Sequence, residues 1–63
     1  MEEVDIWRAA KQMIFEHGVE ARPEAIRLAA KMIERGDYEG YKVWGLIWTA
    51  IKVLQEQSDS KIT

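Results

Sequence analysis

A chain of 63 residues with a formal net charge of −2, 48% apolar and 32% charged residues and no cysteine makes one domain, with no disulfide and no thiolate-held metal to brace it. A domain this short buries only about 60% of the surface its unfolded chain exposes, and such domains draw support from disulfides, a metal or a partner chain. With no cysteine and a single histidine, the partner chain is the support the composition leaves open, and the small net charge argues against nucleic acid and against an anionic membrane surface.

The N-terminal MEEVD is acidic, whereas a secretory leader opens basic and continues apolar. The expectation is a soluble, cytoplasmic protein. A first helix is predicted over residues 3–17, with Ile6, Trp7, Ala9, Ala10, Met13, Ile14 and His17 on one broad face at the helical period. Phe15 falls on the far side, near Val4, Arg8 and Lys11. It is a scattered surface residue that Val19 or a terminal segment covers, or it belongs to a second contact patch. His17 has neither a second metal ligand nor a nucleophile beside it. It reads as a partly buried side chain that bonds a terminal carbonyl and gains from the helix dipole. Gly18 stands where a helix is closed.

The second helix is predicted over 23–35. Pro23 suits its first position, and Arg22 before it is pushed out of the helical region. Ala25, Ile26, Leu28, Ala29, Met32 and Ile33 form its inner face. Arg27, Lys31 and Arg35 recur at i, i+4 and i+8 as a possible basic face that could track phosphates. Glu24 and Glu34 interleave with them, and a Lys31–Glu34 pair at i,i+3 favours a solvated surface.

Gly36 closes the second helix and Asp37 caps the third, predicted over 38–56, with Glu39 in its first turn. The two carboxylates of GDYEG lack the further oxygen ligands of a calcium loop. In the stretch VWGLIWTAIKVL, residues 43–54, only Gly45, Thr49 and Lys52 are not apolar. It is too short to span a bilayer, which takes about 20 residues. Lys42, Gly45, Thr49, Lys52 and Glu56 form one narrow polar stripe. Val43, Ile47, Ala50, Ile51 and Leu54 lie opposite and supply the core. Tyr41, Trp44 and Trp48 line one flank, and Leu46 and Val53 the other. Gly45 permits a kink or the close approach of another helix, or it is simply a tolerated cost.

These elements predict an all-α fold, a small three-helix bundle whose short joints force neighbours to cross antiparallel or steeply. Residues 1–57 form a single domain, and residues 58–63 a frayed polar tail. The chain carries no nucleophile elbow, phosphate-cradling loop or metal-ligand spacing. No enzyme activity, metal or cofactor is expected. A helix-turn-helix would need the third helix to read DNA, and it is the least polar of the three.

The landmarks Trp7, Ala10, His17-Gly18, Ala21, Leu28, Gly36-Asp37, Gly40, Trp44, Ile47 and Leu54 resemble a family of short bacterial helical proteins of unknown function, over roughly residues 5–56. The resemblance implies a small all-helical bacterial protein and supplies no activity.

Two covering helices can hide the core line of the third and part of one flank, but not both flanks. The functional expectation is therefore a non-enzymatic protein that acts by protein–protein contact. It self-associates as a homo-oligomer, or docks on another protein, through Tyr41, Trp44, Trp48, Leu46 and Val53, with Phe15 as a further candidate. Two alternatives stand beside it. One is a small inhibitor or regulator of a larger complex, of the kind a phage or mobile element encodes, working through the mixed-charge face of the second helix. The other is weak nucleic-acid binding through Arg27, Lys31 and Arg35.

Overall fold

The structure is a computed structural model that describes residues 2–60, with the side chains of residues 2–57. The fold is all-helical, with no strand among the described residues. Helix α1 spans Glu3–His17, a single 3-10 turn Gly18–Glu20, α2 Ala21–Glu34 and α3 Tyr38–Ser60. The helical trace falls into two uninterrupted runs, 3–34 and 38–60. The first run bends at Gly18.

Local chemistry accounts for the ends. The Glu2 N–H donates to the Asp5 carboxylate at 3.4 Å, and Glu3 and Asp5 place negative charge in the first turn of α1, where the helix dipole favours it. Among the described residues only Gly18 and Gly36 have positive φ, 57° and 74°, a region costly to residues with a Cβ. The Gly36 N–H donates to the Ile33 carbonyl at 2.9 Å and the Asp37 N–H to the Met32 carbonyl at 2.8 Å, the paired bonds of a Schellman closure. Asp37 then starts α3, its Oδ1 accepting from the Gly40 N–H at 2.9 Å. Replacing Asp37 by alanine orphans that donor and is expected to cost about 1 kcal/mol, a fall in Tm of about 4–8 °C in a chain of this size. Thermal unfolding followed by circular dichroism measures it.

The predicted five-residue joint before the second helix is not a coil. The 3-10 turn winds straight into α2, which begins at Ala21 rather than Pro23. Pro23 lies within the first turn, where its missing donor has no intrahelical partner to lose. Arg22, predicted to lie outside the helix, is inside it. Its side chain helps to anchor this turn: Arg22 Nε donates to Gln55 Oε1 at 2.8 Å, and Gln55 Nε2 donates to the Gly18 carbonyl at 3.1 Å. One amide on α3 thus ties the bend and the start of α2 to the same point. At the other end α3 does not stop at residue 56 but continues to Ser60. No glycine or proline follows Gly45, so nothing in the polar segment 57–60 breaks the helix. Of the predicted tail, residues 61–63 lie outside the described residues.

The core joins Ile6, Ala10 and Met13 of α1, Ala21 and Ala25 of α2, and Ile47, Ala50 and Ile51 of α3. Half of these are alanines. Alanine lets helix axes approach closely but removes little apolar surface from water, and hydrophobic stabilisation scales with that surface. Among the described residues Ile51 is the one large side chain that is completely buried. Helix α3 is the spine against which α1 and α2 both rest. The molecule measures 42 × 23 × 17 Å, and its thin dimension is less than two helix diameters of about 10–12 Å each. A slab of that shape flanks α3 without enclosing it.

Candidate docking surface

The 3.6-residue period turns α3 so that Ile47, Ala50 and Ile51 point into the core, with Val43 and Leu54 packed beside them. The flanks emerge on either side. Between α2 and α3 an open, mainly apolar groove of about 360 Å³ is lined by Ala25, Ala29, Ala30, Lys42 and Gly45. Its walls are Ile26 and Ile33 from α2, and Tyr41, Trp44 and Trp48 from α3. A second groove, of about 470 Å³, lies between α1 and the other flank of α3, lined by Glu3, Ile6 and Trp7 on one side and Leu46, Thr49, Ala50 and Val53 on the other. The polar stripe runs between the two.

The structure places the predicted contact residues as follows. Leu46 is 57% exposed and Tyr41 44% exposed. Val53 is half-buried. Trp44 and Trp48 are half-buried, packed against the core while also lining the first groove. The Trp48 Nε1–H is buried with no hydrogen-bond acceptor, a condition that costs about 1–3 kcal/mol. The Lys52 ammonium stands 6.0 Å from the Trp48 ring centroid, at the outer reach of a cation–π attraction. Phe15 is 85% exposed. Val19, the residue that could have covered it, is itself exposed. Phe15 is on α1 and lines neither groove.

Two groove residues escape the sequence pattern. Ile26 and Ile33, read as inner-face residues, are 57% and 46% exposed. The inward arc of α2 is centred on Ala21 and Ala25, and a residue one step round the helix lies about 100° away, which carries both isoleucines to the edge. The His17 side chain is about one-third exposed, its Nε2 3.9 Å from a Glu16 carboxylate oxygen.

Gly45 opens on solvent: nothing lies within 4 Å of where its Cβ would stand. Its carbonyl accepts the Thr49 hydroxyl at 3.0 Å. No close helix approach within the chain accounts for this glycine. Gly45→Ala is therefore expected to stabilise the isolated chain by about 1 kcal/mol, the difference in helix propensity, measured as a rise in Tm at low protein concentration.

The basic line of α2 is exposed throughout, but the pairing differs from the one predicted. Arg27 is hydrogen-bonded and ion-paired with Glu24 at i,i+3, and no Lys31–Glu34 bridge forms among the described residues. The hydrogen bond from Arg27 holds the Glu24 carboxyl below its ordinary range, and Glu24 raises the guanidinium in turn. Arg27 stands three residues after Glu24 and extends back along the helix toward it, so its charge is already met. Among the described residues no group of three or more histidine, cysteine or acidic side chains could hold a metal ion, and no helix is long and apolar enough to cross a membrane.

The arrangement is two open grooves on the flanks of α3, Gly45 lining the first and Thr49 the second, with lysines at 42 and 52 and a glutamate at 56 along the stripe. In comparisons with known proteins, no family model, no curated protein and no solved structure matches the chain.

Proposed function

We propose that this chain is a non-enzymatic interaction protein, a bundle of three helical segments that associates with a second copy of itself through the outer face of α3. The observation that carries the proposal is the pair of open apolar grooves, one on each flank of the same helix. The overall surface supports it. The chain exposes 4769 Å², whereas a compact chain of 7.3 kDa exposes about 4200 Å². The radius of gyration is 12.0 Å, against about 10.6 Å for a compact chain of this length. An excess of about 600 Å² is on the scale of the roughly 800 Å² that each partner contributes to a stable protein interface. A cytoplasmic location and kinship with short bacterial helical proteins belong to the same proposal and add no activity to it.

Sedimentation equilibrium or light scattering over a concentration series tests the reading. The expected mass rises from 7.3 kDa toward twice that value as the concentration passes through the micromolar range. A single species of one chain at several hundred micromolar overturns self-association. Salt-sensitive retardation of nucleic acid, lost when Lys31 and Arg35 are replaced, is the outcome that would favour the basic face of α2 instead.

A further inference from the structure

The polar stripe of α3 holds more information than a solvated edge requires. Its members, Lys42, Gly45, Thr49, Lys52 and Glu56, are spaced three, four, three and four residues apart. That is the spacing of a helix–helix seam, laid between the two grooves. Gly45 and Thr49, its second and third members, are the smallest residues of the stripe, and the Gly45 Cβ direction is empty, so a second helix axis can come close at this point. The ends carry opposite charge, Lys42 near the start of the seam and Glu56 at its finish.

We infer that two copies pair through α3 in an antiparallel, two-fold arrangement centred on Thr49, with Lys42 of each copy opposite Glu56 of the other. This rests on the self-association proposed above and specifies its geometry. Charge decides the direction. In a parallel pair every member of the stripe meets itself, so Lys42 faces Lys42, Lys52 faces Lys52 and Glu56 faces Glu56, like against like along the whole seam. In an antiparallel pair that sets Lys42 against Glu56, the midpoint Thr49 falls on the two-fold axis. The same register carries an apolar match that the charges do not require: Leu46 of one copy comes beside Val53 of the other. A two-fold axis of this kind sets each flank against its own counterpart, so the Leu46–Val53 edge closes on itself and Trp48 approaches the second Trp48. Within one chain Glu56 has Lys52 at 4.0 Å as a neighbour, and both side chains are exposed enough to turn toward a second molecule. Lys42 and Glu56 cannot touch inside one chain, because fourteen residues of helix separate them by about 21 Å.

That separation makes the test clean. The chain has no cysteine, so an introduced thiol reports only the contact it is placed in. Thr49→Cys is expected to form a disulfide between two copies under mild oxidation. Lys42→Cys alone is expected to form none, whereas an equimolar mixture of Lys42→Cys and Glu56→Cys chains links one to the other. In parallel, Lys42→Glu and Glu56→Lys each weaken dimerisation about ten-fold, since two symmetric attractions become repulsions, and the double exchange restores it. Both positions are on the surface, and unchanged helical content confirms that each variant folds. If the wild-type chain dimerises but Lys42→Cys links to itself as readily as Thr49→Cys, the pair is parallel and the inference fails while self-association stands. If it dimerises and none of these variants cross-links or couples, the seam is not the interface. If the wild-type chain is a monomer at several hundred micromolar, both readings fall together.

Discussion

A Leu46→Asp chain should keep the helical content and the low-concentration Tm of the wild type and lose its self-association. Leu46 is 57% exposed in the single chain, so the substitution removes little that holds the monomer together, and surface changes of this kind usually stay within about 0.5 kcal/mol. In the dimer the same position is closed over by Val53 of the second copy, and two-fold symmetry counts every change twice. Fully burying a leucine is worth about 1.5–3 kcal/mol, and roughly half of that is still to be gained at each Leu46. An aspartate forfeits it and sets a carboxylate against Val53 of the second copy, where desolvating it costs more unless the contact opens. A total of about 3 kcal/mol or more corresponds to over a hundred-fold in Kd. Sedimentation velocity at a fixed concentration separates the outcomes. The matched control is Phe15→Asp, which removes the most exposed aromatic ring on α1; it should leave the assembly untouched. If the control dissociates the dimer and Leu46→Asp does not, the interface is the outer face of α1 and not α3.

The reasons why Leu46 was visible in the sequence, and Ile26 was not, are physical. Helix α3 is apolar over most of its circumference, so its unsatisfied flanks could be counted without knowing where its neighbours stand. Tyr41, Trp44, Trp48, Leu46 and Val53 follow from the period alone. On α2 the apolar arc is narrower, and whether Ile26 and Ile33 face in or out depends on where the arc is centred. Ala21 and Ala25 settle that by their small size, which draws the α2 axis toward α3, and periodicity gives alanine no more weight than isoleucine. Ends were legible where a residue has one dominant chemistry. Gly18, Gly36 and Asp37 close and open helices as their side chains, or lack of them, dictate. Pro23 was legible as an early-helix residue but not as an exact start, because proline is tolerated anywhere in the first turn. Gln55 was not legible at all. Its amide spans the Gly18 carbonyl and the Arg22 guanidinium, and no sequence spacing announces a contact made across 37 and 33 residues. The polar end of α3 misled in the opposite sense, since hydrophilic composition by itself does not end a helix.

Ile51→Ala should strip the isolated chain of most of its stability, and higher protein concentration should partly restore it. Ile51 is completely buried, the largest side chain of which this is true among the described residues. Its core neighbours include Ala21, Ala25 and Ala50, which are too short to collapse into the space it leaves. Truncating a buried isoleucine costs about 2–5 kcal/mol, more when the cavity cannot relax, against a total stability of about 5 kcal/mol for a domain at the low end of the usual range. Concentration matters because pairing acts only on the folded chain: each ten-fold rise well above the dimer Kd adds about 0.7 kcal/mol per chain to the folded side. The readout is the circular dichroism melting curve of the variant at two protein concentrations a hundred-fold apart. The expected result is a broad, low-amplitude transition at the lower one and a recovered, cooperative transition at the higher. Ile26→Ala is the counterpart, cutting back a groove wall that is 57% exposed, and should move the low-concentration Tm by no more than a few degrees. Equal losses from the two substitutions would mean that α2 encloses its groove in solution. A concentration-independent loss at Ile51 would separate the folding of α3 from the pairing of its outer face, which the thin, alanine-rich core makes interdependent.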